Sequence, residues 1–274
     1  MNHWIASLPM YNVTPQHAAH WNALLRDCMT AFARAGGPGD VTLAESTDVD
    51  LMTHWRREDL LLSQTCGFPY RMLGLASHVH LIATPCFDAP GCEDHRYRSA
   101  LVVGEQAWER GATTLTACQG LRAACNSADS HSGMNALRHA VAPFARDGRF
   151  FASLRWTGSH AATLRALANG EADVGAIDCV TLALLRDAHP EALRGVHVLG
   201  MTAPAPGLPL IASRALAEPQ AEALRAALDT ALAANVERAR ALRLHGFARL
   251  GGDAYAEIEH MAHAAAQLGY AELR

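Results

Sequence analysis

The sequence predicts an α/β fold in two lobes, with the second lobe inserted into the first. Three observations lead there. Between Trp4 and Gly67, short apolar runs alternate with helical patterns in the order β-α-β-α-β, the arrangement of a sheet with parallel strands and covering helices. From Leu121 the same alternation starts afresh. Extended segments near Val102 and Thr202 then read as crossings between the two runs. The expected lobes are residues 1–102 together with 203–274, and residues 103–202.

Trp4 to Leu8 reads as a strand, and Thr14-Pro15 supplies an N-cap and a first-turn proline for the helix after it. That helix places Ala18, Trp21, Leu24, Leu25, Cys28, Met29 and Phe32 on one face and stops at Gly36-Gly37. Val41 to Ala44 reads as a strand and Asp50 to Trp55 as a short helix. Leu60-Leu61-Leu62 is a buried strand opening onto Ser63-Gln64-Thr65-Cys66-Gly67. Val79 to Ala83 is a strand, Thr84 to Asp94 is turn-rich, and Tyr97 to Val103 is extended again.

In the second run, Leu121 to Cys125 is a strand, with a helix from Met134 and another opened by Pro143. Phe150 to Trp156 is the next strand. A helix follows it with Ala161, Leu164, Leu167 and Ala168 on its apolar face and Asn169-Gly170 at its end. Val174 to Ile177 is a buried strand that ends at Asp178, and a third helix starts at Val180. Val196 to Met201 and Leu208 to Ala212 are strands around the break Ala203-Pro204-Ala205-Pro206-Gly207. The tail is helical, from Gln220 to Asn235, on to His245, and from Ala254 to Leu268.

Composition narrows the function classes. A chain of 274 residues, 50% hydrophobic, can bury a large core, and its net charge of −4 offers no basic field for nucleic acid. No run is long enough to cross a bilayer, so no direct membrane insertion is expected. The start, Met1 to Pro9, has no basic n-region leading to an apolar leader core. As written the chain is expected in the cytoplasm, or in the periplasm if a leader is removed. Seven cysteines without a C-x-x-C pair argue against a zinc knuckle, and Cys86 and Cys92 flank a turn short enough to bridge in an oxidising compartment. His78-x-His80 lacks a third ligand nearby in sequence and His260-x-x-His263 lies on a polar helix face, so no metal is expected, and no cofactor is either.

The stretch Asn126 to Arg138 concentrates hydroxyl, imidazole and glycine just before a helical pattern. The first N–H groups of a helix have no partner within it, and the helix dipole leaves partial positive charge there, so such an end can hold an anion. Gly133 would let a ligand approach the backbone, and Ser130 and Ser132 add hydroxyl donors. An ordinary N-cap explains the same residues.

In open sheets, ligands collect beyond the carboxyl ends of parallel strands. The residues at those ends are Tyr11; Ser63, Gln64 and Thr65; Ser130, His131 and Ser132; Ser159 and His160; and Asp178. Together they suit a small oxyanion bearing a second polar group, with Asp178 accepting from an amine or hydroxyl. Each has a plainer role as well. Asp178 can cap the Val180 helix, Tyr11 and Gln64 can close loops, and His160 can pack over its own helix.

The segments Ser7-Leu8-Pro9-Met10-Tyr11, Leu62-Ser63-Gln64-Thr65-Cys66-Gly67, Thr84 to Cys92, Ser130-His131-Ser132-Gly133-Met134-Asn135, Gly158-Ser159-His160 and Ala176-Ile177-Asp178-Cys179 share their order and content with a known family. The chain resembles the phosphate/phosphonate-type (PhnD-like) substrate-binding proteins of ABC transporters, from about residue 4 to residue 212. The resemblance implies a type 2 periplasmic-binding-protein fold, each lobe a mixed, mostly parallel sheet flanked by helices, closing over a ligand cleft between the lobes. It implies a phosphonate grip at Ser130, Ser132 and Gly133, further contacts at Ser159, His160 and Asp178, and an aromatic contact at Tyr11.

The leading expectation is a solute-binding protein that captures a small phosphonate, phosphate ester or related oxyanion by hinge closure, with an ABC permease as partner. No catalytic residue is assigned, because the candidate residues show no paired acid and base. The alternatives are a leaderless enzyme on the same fold, similar to chorismate dehydratase or the thiamine-precursor proteins, and a cytoplasmic ligand sensor.

Overall fold

The computed structural model describes residues 3–44 and 50–274, so the reading of Met1 and Asn2 as a chain start lies outside the described residues. The chain forms two compact units. Unit 1 holds residues 1–88, 93–95 and 206–254, and unit 2 holds 89–92, 96–205 and 255–274. Among the described residues, no helix is long and apolar enough to cross a membrane.

Unit 1 is built on a six-stranded sheet of described residues in the order Leu244–Ala248, Val79–Phe87, Leu210–Ser213, Leu60–Gln64, Trp4–Ser7, Val41–Leu43. Trp4–Ser7 pairs in parallel with both of its neighbours, whereas Leu210–Ser213 and Leu244–Ala248 run antiparallel to Val79–Phe87. Four of the six strands therefore point one way. The helix Pro15–Arg34 starts where Thr14 Oγ1 accepts from the His17 amide at 3.2 Å, and it buries Trp21, Leu24, Leu25, Cys28 and Phe32. It stops where the Phe32 ring would lie only 2.6 Å from a Cβ at Gly37, a contact that glycine alone avoids without a shift.

Two expectations in unit 1 need correction. The strand from Val79 does not end at Ala83 but runs to Phe87, because its last residues pair with Leu244–Ala248. Pro85 is tolerated beside a register shift in that pairing, the kind of place where a strand can spare an N–H. The tail likewise does not stay helical to His245. The helix Val236–Ala241 ends before Arg243, whose φ of 52° breaks it, and Leu244–Ala248 is an edge strand.

Unit 2 is built on a five-stranded sheet of described residues in the order Val196–Met201, Ser99–Gly104, Val174–Asp178, Arg122–Cys125, Ser153–Trp156. The last three are mutually parallel, and Ser99–Gly104 is antiparallel to both of its neighbours, so four of the five point one way. Helices Ala136–Val141, His160–Ala168, Cys179–Ala188 and Ala256–Gln267 cover it.

By contact, unit 2 also takes in residues 89–92, 96–102, 203–205 and 255–274, which the expected lobes place with residues 1–102 and 203–274. Residues 99–102 belong to unit 2, since Ser99–Gly104 is a central strand there rather than a crossing. Residues 255–274 also pack on unit 2. Asn135 Nδ2 donates to the Ile258 carbonyl at 3.1 Å, the Phe150 amide donates to the Arg274 carbonyl at 2.8 Å, and Arg96 pairs with Glu257 at 2.7 Å. Local helical pattern cannot report such long-range contacts.

Candidate functional site

In unit 2 the parallel strands ending at Cys125, Trp156 and Asp178 lie side by side; the first two lead through short turns into the amino ends of helices, and Asp178 leads directly into Cys179–Ala188. Helical structure begins earlier than the expected Met134. Residues His131–Asn135 form one turn of π-helix that continues into Ala136–Val141, with Ser130 as its N-cap. Such turns are rare and recur at functional sites.

Ser130 Oγ accepts from the Gly133 amide at 3.0 Å, and Cys125 Sγ lies 3.1 Å from the Gly133 carbonyl. A Cβ at Gly133 would fall 1.8 Å from Asn126 Oδ1, so only glycine fits this approach of turn to side chain. Ser159 caps the helix His160–Ala168 by accepting from the Ala162 amide at 3.1 Å. The two turns meet through side chains, since Ser132 Oγ lies 2.9 Å from His160 Nε2. Depending on the tautomer, the hydroxyl donates to the ring or accepts from it and keeps its proton for a ligand.

Asp178 takes the role of helix cap. Its Oδ1 accepts from the Val180 and Thr181 amides at 2.8 and 3.0 Å. Asp178 is 2% exposed, and a carboxylate there is supported by two N–H groups at the start of Cys179–Ala188.

Burial sets the charge state of the two imidazoles. His131 is pushed down to about 3 by loss of water, with a smaller push from His139. His160 is pushed down to about 4, also by burial. The Ala176 carbonyl opposes this a little from the ring's side, although Nδ1 falls short of an aligned hydrogen bond. Both rings are neutral at physiological pH. A neutral His160 is a weak base, so its pairing with Ser132 does not make an activated nucleophile.

The unit 1 candidates divide. Tyr11 is 1% exposed and sits among aromatic rings, stacked on Trp21 at 6.5 Å and edge-on to Phe87 at 5.1 Å. Thr65 donates its amide to the Pro209 carbonyl, while its hydroxyl lies 3.4 Å from the Cys66 carbonyl. Ser63 Oγ lies 3.3 Å from Ser7 Oγ, which in turn contacts His54 Nε2 at 2.8 Å. Gln64 is different: it is fully buried, and neither its Oε1 nor its Nε2 has a hydrogen-bond partner. A buried amide left unmatched costs free energy, which a ligand can recover.

Among the described residues, side-chain atoms outside the expected set share that property. Asn126 Oδ1, Asn12 Oδ1 and Trp21 Nε1 are shut off from solvent without a hydrogen-bond partner. Asn126 and Asn12 directly follow strand-end residues that the sequence does mark. Trp21 reads as a plain core residue, and nothing in its spacing reveals the orphaned N–H.

The family profile described as "ABC transporter, phosphonate, periplasmic substrate-binding protein" matches residues 47–255. No curated protein matches by sequence. Among solved structures, the chain is similar to PhnD1 from Prochlorococcus marinus in complex with methylphosphonate, at 15% identity, TM-score 0.74 and 98% coverage of both chains. It is also similar to a binding-protein component of a phosphonate ABC transporter from Pseudomonas aeruginosa, at 17% identity and TM-score 0.73, covering 98% of this chain and 88% of that one. A Xanthomonas citri protein bound to ATP matches at 15% identity, TM-score 0.69 and 98% coverage of both. At these identities the structural likenesses establish the fold.

Proposed function

Because the chain belongs to the phosphonate-type periplasmic substrate-binding proteins of ABC transporters, a family of solute-binding proteins, we propose that its solute is a small phosphonate or phosphate ester, gripped at Ser130, His131, Ser132 and Gly133. The observation that carries this is the Ser132–His160 contact, which joins two capped turns in unit 2. Ser159 and His160 complete the anion end, and neutral imidazoles there offer hydrogen bonds without placing a full charge. Asp178, a carboxylate, takes an amine or hydroxyl of the same ligand. From unit 1, we propose Gln64 as a contact on the strength of its unmatched amide, with Tyr11 and Thr65 as supporting residues.

Hinge closure belongs to the same proposal and requires the ligand to bind one state of the protein more tightly than another. So do a permease partner and a periplasmic location.

The test is calorimetry and thermal shift with methylphosphonate, an amine-bearing phosphonate, inorganic phosphate and sulfate. A ligand at a hundredfold its Kd adds about 2.7 kcal/mol of stability. Ser132→Ala should weaken every phosphonate by about tenfold or more, the worth of one hydrogen bond to a charged group. Asp178→Asn keeps the cap and should weaken only the amine-bearing probe. Unchanged affinities in both variants would remove this assignment.

A further inference from the structure

Cys92 Sγ lies 3.5 Å from Cys179 Sγ, across 87 positions of sequence and within unit 2. The neighbour that sequence proximity suggests for Cys92 is Cys86, but the Cys86 thiol lies 3.7 Å from the Thr84 carbonyl. Three features bring Cys92 to Cys179. Gly91 has a φ of +102°, which L side chains rarely adopt. A Cβ at Gly91 would stand 3.1 Å from Cys179 Cβ, so the turn passes tightly over that residue. Cys179 itself is pinned, as the first residue of the helix Cys179–Ala188 and by its amide donating to the Arg98 carbonyl at 3.1 Å.

We infer that Cys92 and Cys179 form a disulfide when the protein meets a small-molecule disulfide oxidant. Cys179 is 1% exposed, and Cys92 is the more accessible of the two. The Cys92 thiolate attacks one sulfur of the oxidant RSSR, forming a mixed disulfide and expelling RS⁻. Cys179 then attacks the Cys92 sulfur and expels the second RS⁻. The two thiol protons end on the two RS⁻ groups, so two cysteines are oxidised and RSSR is reduced to two RSH. The hydrogen bond with Cys92 and burial hold the Cys179 thiol well above the ordinary cysteine range, and burial persists once Cys92 is in the mixed disulfide, so the second step is the slow one. The inference is independent of the ligand reading.

The full chain, purified reduced, is incubated with oxidised glutathione and mapped by non-reducing peptide mass spectrometry. The expected result is a single cross-linked peptide pair holding Cys92 and Cys179, with titratable thiols falling from seven by two. Cys86→Ser should leave that pair intact and Cys92→Ser should abolish it, while wild type alone decides the pairing if a variant fails to fold. The oxidised protein should melt about 5 °C or more above the reduced form, since the bridge closes a long loop. A Cys86–Cys92 pair, glutathione adducts alone, or seven thiols retained would each overturn the inference.

Discussion

The two ends of the unit 2 sheet carry different kinds of polar chemistry. Where the strand Val174–Asp178 begins, Asp173 is 4% exposed and fully matched. It accepts from Arg122 at its amide, Nε and Nη2 at 3.0, 2.9 and 2.9 Å, and from Arg110 Nη2 at 3.1 Å. These bonds, that of the Arg122 side chain first, hold its carboxyl below the usual range. Where the same strand ends, Asp178 is matched by helix amides, but Asn126 Oδ1 beside it in the sheet order goes without. A saturated polar end serves the fold. An unsaturated one has bonding capacity left for something that arrives later.

Breaking the saturated end should give the largest effect. Asp173→Ala is expected to cost about 3 kcal/mol, reduced from a fully buried pair because both arginines are half-exposed. Urea unfolding measures that loss. Phosphonate affinity per folded molecule should be unchanged, and a parallel loss of affinity would merge the two ends into one.

Acid probes the other end next. His131 is protonated in the unfolded chain below about pH 6.5 but in the folded chain only near its depressed value of about 3. The unfolded state binds more protons in between, so stability is fully present above about pH 6.5 and is lost as pH falls. The loss is about 2 kcal/mol by about pH 5, and His131→Gln should flatten it in unfolding titrations at several pH values.

Gly133→Ala tests the tightness of the turn. Asn126 must yield, at a cost of about 1 to 2 kcal/mol by thermal melts, and calorimetry should show weaker phosphonate binding. The smallest effect on stability sharpens the same contrast in unit 1. Gln64→Met removes an unmatched buried amide, so the unliganded protein should be unchanged or stabilised by up to about 1 kcal/mol while affinity falls. A Gln64→Met variant that is strongly destabilised and binds normally would mean that Gln64 is structural.

Much of this was legible in order along the chain. Thr14-Pro15, Asp50 and Ser159 mark helix starts through local hydrogen bonds, and those starts are where the structure has them. The polar residues after each strand were visible for the same reason. What stayed hidden depends on partners far away in sequence. Neither the edge pairing of Leu244–Ala248 with Val79–Phe87 nor the packing of Ala256–Gln267 on unit 2 has a local signature. Trp21 looked like any core residue.

By itself, the sequence determined the α/β class, the strand and helix alternation and the hydroxyl-rich turns, since propensity, capping and periodicity act over a few residues. Only the tertiary structure decided that Ser132 reaches His160, that Cys92 lies against Cys179 and that the Gln64 side-chain amide is unmatched. Those are facts about side chains separated by tens of residues, and whether a buried polar atom is matched depends on every neighbour that surrounds it.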